Sequence, residues 1–94
     1  MITEQLKTDL DKAIMILKQA GAKKVFLFGS AITGNFNNDS DVDLGITGLP
    51  PESFFSVYGR LSEVLDRSVD LVDFDKESDF LKMLQEIEEV EEIG

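Results

Sequence analysis

The chain contains no cysteine, which excludes disulfides and any thiolate metal site. Cations are scarce. Nine lysines and arginines stand against nineteen aspartates and glutamates, giving a formal charge of −10. A surface so poor in positive charge cannot neutralise a row of phosphates, so gripping a nucleic-acid backbone is excluded as the main activity. An anionic triphosphate is repelled as well, unless divalent cations accompany it. Much of the excess acid lies near the end, at Glu86, Glu88, Glu89, Glu91 and Glu92, where solubility is explanation enough. No apolar run approaches a membrane span, and Met1 leads into a polar, helix-like segment instead of a signal peptide. These absences fit a cytoplasmic protein.

What remains is the composition of an ordinary globule, 43% hydrophobic and 30% charged. Ninety-four residues suffice for one core, so residues 1–94 are expected to form a single domain. Leu6, Leu10, Ala13, Ile14 and Leu17 recur at helical spacing, and Gly21 follows as a stop. Val25-Phe26-Leu27-Phe28 is a short apolar run of the kind found in buried strands. From Gly29 to Asp39 the chain reads as a loop with room for one helical turn. Ser40 to Thr47 alternates as a strand, and Pro51 opens a helix whose buried stripe is Phe54, Val57, Tyr58, Leu61, Val64 and Leu65. A third strand covers Ser68 to Phe74. A last helix is expected from a Ser78 cap, with Leu81, Leu84, Ile87 and Val90 as its apolar side. The fold class is therefore α/β (α+β), a small mixed sheet of three or more strands flanked by helices. Phe36, Phe54, Phe55 and Tyr58 are expected mostly inside so small a domain. Contact with another chain, a second copy included, is the alternative.

Chemistry concentrates between Phe28 and Leu44. Gly29-Ser30 directly follows the first strand, where a residue without a side chain lets backbone approach a ligand and a hydroxyl lies beside it. Such a turn cradles phosphate oxygens, though a lone Gly-Ser is most often only a turn. Asp41 and Asp43 are sharper evidence. Two apart on a strand, they project from one face, where a bound cation makes their repulsion tolerable. Mg²⁺ is commonly held by one or two carboxylates together with substrate phosphates. A third acid is wanted for two metals, and the third strand offers Asp70 and Asp73, three apart and so on opposite faces. Asp70 lies inside the strand and is preferred. A calcium loop starting at Asp39 fails, because its sixth position would be Leu44 instead of Gly and its twelfth Pro50 instead of Glu. Asp39 itself, within Asn37-Asn38-Asp39-Ser40, reads as a turn former.

The set of G-S, S-D-x-D-L and a later V-D-L-V-D strand resembles the nucleotidyltransferase superfamily of DNA polymerase β type. More narrowly it resembles the minimal nucleotidyltransferases (MNT) of prokaryotes, over nearly the whole chain. The resemblance implies transfer of a nucleotidyl group, AMP from ATP, to a hydroxyl acceptor with Mg²⁺ or Mn²⁺. Gly29 and Ser30 match the triphosphate-binding pair, Asp41 and Asp43 the paired metal ligands, and Asp70 the third carboxylate, which acts as general base. Such proteins are commonly paired with a helical HEPN-type partner in toxin–antitoxin modules, where the MNT antitoxin modifies a tyrosine of the toxin. The alternative is a catalytically weak or inactive antitoxin-like binding module that neutralises a HEPN partner by complex formation. The sequence departs from the family pattern G-S-R-A-R/K-G at Ala31 and Thr33, so two cationic contacts to a triphosphate are missing. Lys23, Lys24, Arg60 and Arg67 are the cations left to compensate. Each reads first as solvated surface charge.

Overall fold

A computed structural model describes residues 4–37 and 39–94. Helix α1 spans Glu4–Gln19 and strand β1 Lys24–Phe28. The short helix α2 covers Ser30–Thr33, the single turn for which the loop had room. Strand β2 follows at Val42–Thr47, and a 3-10 turn at Pro51–Ser53 leads into helix α3, Phe54–Val64. Strand β3 is Val69–Asp73, helix α4 Ser78–Glu86 and strand β4 Val90–Glu92. The four strands form one mixed sheet in the order β3-β2-β1-β4. β1 runs antiparallel to both β2 and β4, whereas β2 and β3 are parallel through the α3 crossover. No helix among the described residues is long and apolar enough to cross a membrane.

The fourth strand corrects the expected end of the chain. Leu81 and Leu84 do sit on a helix, but Val90 belongs to β4 and pairs with Phe28. The helix stops because Glu88 turns left-handed, at φ 57°. The Glu89 N–H donates to the Leu84 carbonyl at 2.9 Å and the Glu88 N–H to that of Gln85 at 3.2 Å. This is the Schellman closure, with a glutamate where glycine usually stands.

Strand alternation divides the core in two. Val25, Leu27, Val42, Leu44, Ile46, Val69 and Leu71 face α1 and α3. Phe26, Phe28 and Phe74 face the other way and pack with Leu84 of α4. The Phe28 and Phe74 rings lie 5.5 Å apart and Phe80 crosses Phe28 at the same distance, so this second layer is mostly aromatic. Gly45 leaves the space that Phe74 fills, because a Cβ there would overlap the ring. Phe74 is 1% exposed and has nowhere to go. Gly45→Ala is therefore expected to cost ~1–3 kcal/mol of overpacking, read as a melting temperature lowered by several degrees.

Arg67 is not surface charge. Its side chain is 10% exposed and its Nε lies 3.3 Å from Oδ2 of Asp9, which is fully buried. The guanidinium also stacks on Phe36 at 4.8 Å from the ring centroid. Lys24, by contrast, forms an exposed pair with Glu92 at 3.9 Å, of the kind that contributes little. Of the four questioned aromatics, Phe36, Phe54 and Tyr58 are partly buried against the core, while Phe55 is 83% exposed.

Candidate active site

The sheet brings the candidate acids to one end of one face. Val42 and Leu44 point into the core beneath α1 and α3, so Asp43 must point the opposite way. Asp41, one residue before β2, continues that alternation and is exposed. Asp43 and Asp70 are register partners across the parallel β2–β3 pair. In such a pair directly opposite residues share a face. α4 covers this face only over Phe26, Phe28 and Phe74, which leaves Asp70 exposed and Asp43 half-buried.

The Gly-Ser turn meets the acids from β1. Phe28 pairs with Asp43 across the antiparallel ladder, so the next residue, Gly29, comes up against the same carboxylate. A Cβ on Gly29 would overlap Asp43 Oδ2, and its φ of 76° is one that side-chain-bearing residues resist. Two independent constraints thus require glycine here. Ser30 follows as the first residue of α2, half-exposed. Of the two positions where the family pattern is basic, Ala31 is buried in the core and Thr33 is exposed.

Electrostatics register the crowding. Asp43 is held above the ordinary aspartate value of 3.8, first by burial, then by the charge of Asp70, then by that of Asp41. Like charges that raise one another in this way are relieved by a cation. The donors are all carboxylate oxygens, which suits Mg²⁺ or Mn²⁺. Among the described residues no three acidic side chains form a ready-made metal cage. Magnesium sites built on one or two carboxylates take their other ligands from water and substrate phosphates.

The remaining acids have other duties. The Asp39 N–H donates to Asn37 Oδ1 at 2.8 Å and the Asn37 N–H to Ser40 Oγ at 2.9 Å, the turn that hands the chain to β2. Asp73, on the opposite face from Asp70, accepts from the Asp75 N–H at 3.0 Å. Tyr58 is the residue that helical spacing concealed. Its hydroxyl donates to Asp70 Oδ1 at 3.1 Å, and burial followed by that hydrogen bond raises the phenol. Helical periodicity had assigned it to the buried stripe of α3. No local signal ties a residue on one element to an acid on the next.

A shallow groove of about 130 Å³ opens elsewhere, lined by Pro51, Phe54, Phe55, Asp73 and Lys76. It lies toward the far end of β3, roughly 10 Å along the strand from Asp70 at ~3.3 Å per residue.

The family model "Polymerase beta, Nucleotidyltransferase" matches residues 11–93. No curated protein sequence is detectably similar to the chain. Among solved structures, a chain of a toxin–antitoxin complex with AMP-PNP superposes with a TM-score of 0.71 at 26% identity, covering 87% of this chain and 69% of that one. A chain from a mutant of the MntA-HpeT toxin–antitoxin gives a TM-score of 0.70 at 26% identity, over 90% of this chain and 71% of that one. A chain from the complex of a tri-AMPylated Shewanella oneidensis HEPN toxin with its MNT antitoxin shares the fold, with a TM-score of 0.67, 23% identity and coverage of 92% and 69%.

Proposed function

The chain belongs to the polymerase beta nucleotidyltransferase family, and from that premise we propose that it transfers AMP from ATP to a hydroxyl of a HEPN-type partner, with a tyrosine as the acceptor. One observation carries this reading. The parallel register sets Asp70 beside Asp43 on the open face, while Gly29 packs its backbone against the same Asp43 carboxylate. The acids proposed as metal ligands and a phosphate-sized turn thereby share one corner of the sheet.

In this reading Asp41, Asp43 and Asp70 hold Mg²⁺ or Mn²⁺, and Gly29 with Ser30 binds the triphosphate. A bound divalent cation neutralises the phosphates, which a chain of charge −10 otherwise repels. Asp70 accepts the proton of the incoming hydroxyl. The acceptor oxygen bonds to the α-phosphorus as the bond from that phosphorus to pyrophosphate breaks. The AMP-PNP complex and the AMPylated toxin complex among the structural neighbours support the choice of nucleotide and partner. A soluble module acting in the cytoplasm fits both.

The exposed Phe55 and its groove favour a second reading, in which the chain neutralises its partner by occlusion alone. One experiment separates the two. Incubated with α-labelled ATP, Mg²⁺ and the product of the neighbouring gene, the chain is expected to label that partner. Asp70→Asn is expected to cut the label by ~10²–10⁴-fold, the usual contribution of a general base. A tight complex that forms without label, and is indifferent to the substitution, would establish occlusion instead.

A further inference from the structure

We propose that Tyr58 is itself a nucleotidyl acceptor, so that the chain modifies its own tyrosine. The inference rests on the reading of Asp70 as proton acceptor and adds an internal substrate to it. Tyr58 is the only tyrosine in the chain. Its ring packs with the core beneath α3, and its hydroxyl reaches the border strand β3. There Oη donates to Asp70 Oδ1 at 3.1 Å, inside the roughly 2.6–3.2 Å that a general base needs to the hydroxyl it deprotonates.

The hydroxyl is held from other sides as well. The Phe74 N–H turns inward to the Ile46 carbonyl of β2. Alternation then sends the Leu71 N–H outward, over the open border on which the Tyr58 hydroxyl lies. The Phe54 ring stands edge-on to the Tyr58 ring at 5.9 Å and fixes its plane. With Asp70 read as the proton acceptor, a phenol so anchored already presents a hydroxyl to that carboxylate. Being part of the chain, it also has the advantage in effective concentration of an intramolecular reactant. In the step proposed, Tyr58 Oη forms a bond to the α-phosphorus of ATP. The bond from that phosphorus to the pyrophosphate oxygen breaks, the phenolic proton passes to Asp70, and pyrophosphate leaves. The product is one phosphodiester per chain.

The test uses the full chain with ATP and Mg²⁺ alone, followed by digestion and mass spectrometry, with a melting curve recorded in parallel. The expected result is a single AMP adduct on the Tyr58 peptide. It should be absent from Tyr58→Phe, which keeps the ring, and reduced at least ~100-fold in Asp70→Asn. A chain that is thermally stabilised by Mg²⁺-ATP but carries no adduct, or carries it on another residue, overturns this proposal and leaves the transfer reading standing. Absence of both the stabilisation and the adduct overturns the two together. If Tyr58→Phe only lowers the melting temperature, and the parent chain stays unmodified, the phenol serves merely to close the border of the sheet.

Discussion

Asp43→Asn is expected to stabilise the ligand-free fold while abolishing transfer. Burial, Asp70 and Asp41 all penalise the ionised form of Asp43. Its proton is thus held more tightly in the folded chain than in the unfolded one. Linkage then sets the sign: stability falls as pH rises from 3.8 through the raised folded value, and the penalty is complete above it. An amide removes the penalty. The variant should therefore melt higher than the parent at neutral pH, and the gap should narrow as the pH is lowered toward 3.8. Activity moves the other way. Loss of one ligand to a cation worth several kcal/mol of charge stabilisation is expected to slow labelling by about 10³-fold or more, at ~1.4 kcal/mol per decade. The thermal shift induced by Mg²⁺-ATP should vanish with it, since a ligand stabilises only what it binds. A variant that melts lower without ligand, or keeps the shift, would contradict the assignment of Asp43.

The largest structural effect is expected not at those acids but in the core, at Arg67→Ala. Asp9 is fully buried, and its oxygens meet only Arg67 Nε at 3.3 Å and Gln5 Nε2 at 3.3 Å among the described residues. Removing one partner from a buried ion pair leaves a charge with no solvent, at ~3–5 kcal/mol. For a domain of this size each kcal/mol moves the melting temperature by ~4–8 °C. A fall of more than ~12 °C by calorimetry is the expected outcome. The pair is not itself a large source of stability, because desolvation offsets most of the attraction. Arg67 Nη1 is buried without a hydrogen-bond partner, which adds to the cost of keeping it. Asp9→Leu combined with Arg67→Met should therefore recover most of the loss, and a double variant as unstable as Arg67→Ala would refute the account. Arg67 also stacks on Phe36, in the segment that delivers Asp41. Its loss should loosen that approach as well.

These two residues mark what the sequence disclosed and what it hid. Asp41 and Asp43 were legible because strand alternation is local and two residues suffice to place them on one face. Alternation likewise put Asp70 and Asp73 on opposite faces, but which of them lies beside Asp43 was decided only by the parallel register, which pairs Asp43 with Asp70. The role of Arg67 depends on Asp9, 58 positions away, and no periodicity announces a contact across that span. The end of α4 was misread because Leu81, Leu84, Ile87 and Val90 keep helical spacing through the stop. A left-handed Glu88 gives none of the warning that glycine would. Gly45 carried a signal that goes unused in a bare alternation pattern, since glycine inside a strand often marks a close approach. Here the approaching group is Phe74.

The placement of Asp70 on a border strand has a consequence for the molecule's behaviour in crowded solution. β3 ends the sheet, and an unpaired strand of Val69, Leu71 and Val72 is a template on which further copies can stack into fibres. Asp70 interrupts it from within and Asp73 ends it, so an incoming copy in matching register meets carboxylates with its own. The acid proposed as proton acceptor thus also sets like charge against an added strand.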